Sequence, residues 1–229
     1  MPRLVSSPAV EFARRIAHRD PSLRLYAILD AETCARRNLS LEVVAVSWRD
    51  AGIRLVQYRD KQGTDADVLR NAALIRAIFD GTDALLILND RVQLFAETGF
   101  HGVHVGQTDL SPSQTRQMIG PDAILGVSTH TAQQAAAAEV QPVDYVAVGP
   151  VFSTTTKTDA DPVIGLEGVR AFRPLTSKPL VAIGGITQAS AQDVLSAGAD
   201  SVAVISALLS APGESLDAAA AAFLRLLSV

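Results

Sequence analysis

Short apolar runs alternate with longer segments of helical period along the whole chain. The runs are LRLYAILD (23–30), IRLVQYRD (53–60), ALLILND (84–90), GVHVGQ (102–107), AILGVST (123–129), YVAVGPVF (145–152), PLVAIGGI (179–186) and SVAVISALL (201–209). Between them lie segments whose apolar residues recur every three to four positions, among them DADVLRNAALIRAIFDG, VQLFAETG, SPSQTRQMIG, TAQQAAAAEV, LEGVRAFRPL and ASAQDVLSAG. Eight strand–helix units in one chain predict an α/β fold, a single (β/α)8 TIM barrel, with a doubly wound open sheet as the rival. The barrel is expected to fill residues 23–229, and residues 1–22 read as an N-terminal helical extension with a packing role. Three helix ends carry AG or TG just before a strand (AGIRLVQYR, TGFHGVHVG, AGADSVAVIS), and each glycine fits a helix stop.

Composition narrows the classes. Apolar residues make up 48% of the 229 and aromatics only 5%, which suits a core of Val, Leu, Ile and Ala around buried parallel strands. A net charge of −4, a pI near 5.5 and no basic block argue against nucleic acid or an anionic membrane as partner. A lone Cys34, in a helical stretch after the first run, excludes a disulfide framework and is expected to be inert. No run approaches the roughly 20 apolar residues of a membrane span, and the N-terminus lacks a signal peptide's apolar stretch, so a cytoplasmic protein is expected.

In such a barrel the site is built at the C-terminal strand ends, and seven of the eight runs end in polar or glycine-rich residues. Asp90 and Asp109 follow the third and fourth runs. Adjacent strands lie roughly 4.8 Å apart, so the two carboxylates can converge on a hard cation such as Mg²⁺; helix capping is the alternative. It is weaker for Asp109, because Ser111, Pro112 and Gln114 already supply a capping box. In QYRDK, alternation puts Gln57 and Arg59 on one face and Tyr58 on the other, with Lys61 just beyond. An inward Arg needs an anion, either a ligand or an internal carboxylate. With Lys61 and a metal nearby, Arg59 would suit a diphosphate. The last two strands end in GGIT and IS, where many barrels bind phosphate through backbone N–H groups; Gly184 and Gly185 allow that close approach or serve a plain turn. STTTK, after the sixth run, places hydroxyl donors and Lys157 between these two anion sites, although a solvated loop has the same composition.

VQYRDK, LILNDR, GVHVGQTDL, GVSTHT, VGPVFSTTTK, VAIGGIT and GADSVAVISAL, in order across most of residues 23–209, resemble the thiamine phosphate synthase family. The resemblance implies a barrel enzyme of thiamine biosynthesis, a transferase dependent on Mg²⁺. Such an enzyme joins 4-amino-2-methyl-5-(diphosphooxymethyl)pyrimidine to 4-methyl-5-(2-phosphooxyethyl)thiazole, or its carboxylated form, and releases pyrophosphate. Carried over by position, it implies that Gln57, Tyr58, Arg59, Asp60, Lys61, Asn89, Ser128 and Lys157 hold the pyrimidine diphosphate, with Arg59, Lys61, Lys157 and Ser128 catalytic. Thr154, Thr155, Thr156, Gly184, Gly185, Ile205 and Ser206 would hold the thiazole phosphate, and Asp90 and Asp109 the Mg²⁺. Thr108 replaces the acidic residue often found in the GQ-x-D motif, and Ser153 the proline often found before the first threonine of the strand-six loop.

Expelling pyrophosphate calls for neutralised charge rather than a protein nucleophile, and no G-x-S-x-G elbow, H-E-x-x-H pair or assembled triad stands in the chain. His130 has a pocket role or a structural one beside the Thr131–Gln134 box, while His18, His101 and His104 carry no decisive signal. Two alternatives remain: a thiazole tautomerase of the same superfamily, and a non-catalytic barrel that binds a phosphorylated ligand. Two phosphorylated small molecules are the expected partners, with a homo-oligomer open.

Overall fold

The computed structural model describes residues 6–154, 162–209 and 215–228. Its eight strands are β1 Leu25–Asp30, β2 Leu55–Arg59, β3 Leu85–Asn89, β4 Gly102–Val105, β5 Ile124–Thr129, β6 Tyr145–Val148, β7 Leu180–Ile183 and β8 Ser201–Val204. They pair in parallel, each with the next, and β8 closes onto β1. The expected (β/α)8 barrel is therefore present. The helices are α1 Pro8–Ala17, α2 Ala31–Arg36, α3 Leu41–Ala51, α4 Asp65–Phe79, α5 Phe95–Thr98, α6 Pro112–Ile119, α7 Ala132–Glu139, α8 Gly165–Phe172, α9 Gln188–Ser196 and α10 Leu216–Leu227.

Each of the eight apolar runs carries a strand, but several strands stop short of the run's end. Strand β6 ends at Val148, and Val151 beyond it is buried beneath the loop it belongs to. Apolar character at these positions reports burial rather than pairing, and the strands end where the site loops begin. The segment VQLFAETG forms only a 3₁₀ turn, Val92–Leu94, and the single turn of α5, because left-handed Arg91 and Gly99 bound it on either side. Gly52, Gly99 and Gly198, the three expected helix stops, all have left-handed φ.

Alternation along the strands builds two apolar layers. Leu25, Val56, Leu88, Val103 and Val146 face the helices, whereas Tyr26, Ile28, Leu55, Ile87, Ile124, Tyr145 and Val181 fill the barrel. Among the described residues no helix is long and apolar enough to cross a membrane.

Helix α1 lies within the expected extension, with the 3₁₀ turn Pro21–Leu23 following it. Ala9 N–H donates to the Asp122 carbonyl just ahead of β5 (3.0 Å), and buried Arg15 donates to the Asp83 carbonyl ahead of β3 (2.8 Å) and to Asp20 (2.7 Å). These contacts place α1 across the N-terminal mouth of the barrel. Phe12 enters it, fully buried, with its ring 5.6 Å from that of Tyr145. Packing is thus a plug beneath the site. Phe12→Ala is expected to cost about 3 kcal/mol through the cavity it leaves, lowering Tm by roughly 5–10 °C in calorimetry.

Candidate active site

At the opposite mouth a cavity opens, lined by side chains that alternation turns inward from the strand ends: Gln57 and Arg59 (β2), Asn89 (β3), His104 (β4) and Ser128 (β5). The loops after β5 to β8 complete it with His130, Thr154, Gly184, Gly185, Ile205 and Ser206.

Arg59 is held from below. It stands beside Asp30 in the β1–β2 register, and its Nη1 donates to the Asp30 carboxylate and to Glu32 (3.4 Å). Asp30 is buried and also accepts from the Thr33 backbone N–H (2.8 Å). The internal carboxylate weighed as the alternative for Arg59 therefore exists. Both contacts run through Nη1, so Nε and Nη2 keep their hydrogens for a ligand. Glu32 does more: its other oxygen accepts from the backbone N–H of Lys61 (2.7 Å) and Gln62 (2.9 Å), while Arg91 donates to the Gly63 carbonyl (2.9 Å). The loop carrying Lys61 is clamped from two sides. Asp30 and Glu32 carry no role in the sequence reading.

Tyr58, Asp60 and Lys61 of QYRDK do not line the cavity, and for Tyr58 and Asp60 structural contacts replace the expected contact with the pyrimidine. Tyr58 lies in the helix-facing layer, where its hydroxyl donates to Asp60 (2.9 Å) and accepts from Asn71 (3.0 Å). Asp60 is occupied by that bond and by the Gly63 N–H (2.6 Å), so it shapes the turn.

Asp90 does not cap a helix: the 3₁₀ turn after it starts at Arg91 without a side-chain cap. Instead its carboxyl meets that of Asp109, and the Lys61 amine stands 3.5 Å away. Burial and the Asp109 carboxyl together push Asp90 up to about 6, partly opposed by Lys61. Asp90 and Arg91 both have left-handed φ, 56° and 24°, an uncommon backbone for non-glycine residues at a site rim. Asp109 also accepts from the Gly106 N–H (2.7 Å), and the helix cap is made by Ser111 and Gln114. Among the described residues these two carboxylates form an oxygen-only set, of the kind that a hard cation such as Mg²⁺ takes together with substrate oxygens.

Gly184 and Gly185 are required where they stand. Both have left-handed φ, and a Cβ on Gly184 would lie 2.6 Å from Pro150 Cα while one on Gly185 would lie 2.4 Å from the Ser153 carbonyl oxygen. The pair thus brings the loops after β6 and β7 together, and its backbone lines the cavity just ahead of α9. His130 combines both roles weighed for it, since it lines the cavity, bonds the Gly149 carbonyl through Nδ1 (2.8 Å) and sits beside an intact Thr131–Gln134 capping box. Thr154 faces the cavity; Thr155, Thr156 and Lys157 lie outside the described residues. Cys34 is buried, with its thiol pushed up to about 11 mainly by burial, as expected of an inert side chain. His101 accepts from the Leu86 N–H (3.0 Å), a structural contact.

A family model described as thiamine monophosphate synthase matches residues 25–208, every strand of this barrel included. The chain belongs to that family. A thiamine-phosphate synthase from Koribacter versatilis is 47% identical over 192 residues, covering 82% of this chain and 90% of its own. One from Chloroflexus aurantiacus is 42% identical over 206 residues, covering 90% and 93%. Among solved structures, a thiamine phosphate pyrophosphorylase from Pyrococcus furiosus superposes with a TM-score of 0.80 at 30% identity, over 92% of this chain and 98% of that one. A solved KDPGal structure at 19% identity and a TM-score of 0.66 shares the fold. Thiamine monophosphate synthase relatives thus match nearly the whole barrel, and the inward strand-end residues described above all fall within the matched segment.

Proposed function

We propose that the protein is a thiamine-phosphate synthase, which joins an aminopyrimidine methyl diphosphate to a thiazole phosphate with release of pyrophosphate. Family membership supports the transferase assignment. The observation that carries the chemistry is the meeting of Asp90, Asp109 and Lys61 in the loops that follow β3, β4 and β2, the strands whose Asn89, His104, Gln57 and Arg59 line the cavity together with Ser128.

In this reading the pyrimidine ring lies between Gln57 and Ser128, with its diphosphate toward Arg59, Lys61 and Asn89, and toward Lys157 by position in the family motif. The thiazole phosphate takes the opposite rim, where Thr154, the Gly184–Gly185 backbone, Ile205 and Ser206 line the cavity. The thiazole nitrogen attacks the pyrimidine methylene; a C–N bond forms as the C–O bond to diphosphate breaks, and the electron pair leaves with pyrophosphate. No protein nucleophile is needed. Bound Mg²⁺ would supply charge neutralisation of the departing diphosphate. Arg59 and Lys61 donate to phosphate oxygens where charge builds up; the Asp30 and Glu32 carboxylates orient Arg59 beforehand, and the clamped loop positions Lys61. Asp90 and Asp109 would hold the cation, and the apolar interior below excludes water from the methylene.

Purified protein given both substrates, with Mg²⁺ or with excess chelator, tests the proposal. Thiamine phosphate, followed by its fluorescent oxidation product, is expected with Mg²⁺ and lost with chelator. No product from folded protein would reject it and favour isomerase or ligand-binding roles, to be examined by thiazole isomerisation.

A further inference from the structure

A continuous polar chain crosses the otherwise apolar barrel. Gln57 Nε2 donates to the Tyr26 hydroxyl (2.9 Å), which lies 2.8 Å from the Tyr145 hydroxyl. That hydroxyl is 2.9 Å from His104 Nδ1, and His104 Nε2 is 2.8 Å from Ser128 Oγ. Four strands contribute besides the one carrying His104, and the two ends of the chain are the groups placed on either side of the pyrimidine ring. Room for it is made by Gly126: a Cβ there would lie 2.0 Å from the Tyr145 ring. The His104 and Tyr145 rings stack at 5.6 Å.

With the Gln57 amide nitrogen on Tyr26 and His104 neutral, the chain runs in one direction. Tyr26 and Tyr145 are each only 1% exposed, and burial raises both phenols so that they stay protonated. Because Gln57 donates to Tyr26, the Tyr26 hydrogen must go to Tyr145, whose hydrogen goes to His104 Nδ1. His104 is then the Nε2–H tautomer and donates to Ser128. The reverse direction aims two hydrogens at Tyr26 and leaves its own buried hydrogen without an acceptor, which is costly. Two consequences reach the cavity: Gln57 offers its carbonyl oxygen as an acceptor, and Ser128, already accepting from His104, offers its hydrogen as a donor.

We propose that His104, Tyr145 and Tyr26 are positioning residues that fix the donor–acceptor sense of Gln57 and Ser128, and thereby select an aminopyrimidine over its oxo analogue. The inference rests on the synthase reading of the cavity. An aminopyrimidine presents its C4 amine donor at one edge and the N1 acceptor across the ring from it, which matches an acceptor on one wall and a donor on the other. In the 4-oxo analogue a carbonyl acceptor replaces the C4 amine donor and meets the acceptor on its wall. A site whose polar groups cannot turn over rejects that mismatch, because its own groups are left unpaired.

The test measures kcat/KM for the amino and 4-oxo pyrimidine diphosphates in the wild type, Tyr145→Phe, His104→Met and His104→Gln. Tyr145→Phe and His104→Met are expected to lower the amino-to-oxo ratio roughly tenfold or more, with KM for the thiazole phosphate within about twofold of wild type. His104→Gln, able to accept at one end and donate at the other, is expected to keep more of the ratio than His104→Met. Loss of rate on both pyrimidines with the ratio unchanged would mark a merely structural role and overturn the proposal. So would equal ratios in the two His104 variants. Wild type that forms no thiamine phosphate would instead reject the synthase reading itself.

Discussion

Asp90→Asn is expected to lower turnover by about a thousandfold or more while making the metal-free protein more stable. The stability half follows from the carboxyl pair. Asp90 titrates at about 6 in the folded protein against 3.8 for the free side chain, because it is buried and faces Asp109. A carboxyl raised on folding binds extra protons in the native state between these values, so its stabilising contribution is present at acid pH and lost as pH rises through about 6. At neutral pH the ionised pair costs on the order of 2 kcal/mol. Asparagine removes that repulsion and tolerates the left-handed φ of 56° at this position. In chelator, the Tm of the variant should exceed wild type at pH 7.5, and the gap should close toward pH 5, where Asp90 is protonated anyway. The activity half follows from the loss of one of the two proposed cation ligands. A variant as active as wild type, or one less stable at pH 7.5, would contradict the assignment of the pair.

Arg59→Gln is expected to lose both turnover, by about a hundredfold or more, and stability, by about 3 kcal/mol. Asp30 is buried under the guanidinium, and removing the cation leaves its carboxylate paired only with Thr33. The two losses separate in the double variant. Adding Asp30→Asn neutralises the orphaned charge, so melting temperature should recover toward wild type. Turnover should stay low, since nothing replaces the donors to the diphosphate. Recovery of turnover in the double variant would show that Arg59 serves the fold rather than the substrate.

How far the sequence revealed this site can be judged residue by residue. The barrel was legible because eight short apolar runs alternate with segments of helical period, and the strand-end residues were legible because polarity begins where pairing stops. The first run also ends in a polar residue, Asp30, the partner of Arg59, but without partners an aspartate before a helix reads as a cap, and it does cap α2 through the Thr33 N–H. Tyr58 was misread for the opposite reason: its place within QYRDK outweighed the alternation that turns it toward the helices. Tyr26 and Tyr145 look like core in an apolar run, and His104 gives no signal alone. Only the register that sets His104 beside Gly126, and the space that glycine leaves for Tyr145, brings the three together. Contacts between distant strands are written in closure of the barrel, not in local pattern. The extension's packing role was legible, but not its target, because Phe12 finds Tyr145 across more than a hundred residues.

The most direct measurement follows phosphorus by NMR in protein mixed with Mg²⁺ and the pyrimidine diphosphate, the thiazole phosphate, or both. The synthase account predicts one pyrophosphate for each thiamine phosphate, and only when both substrates are present. Pyrophosphate released from the pyrimidine alone at the same rate, or both substrates left unchanged by folded protein, would contradict it.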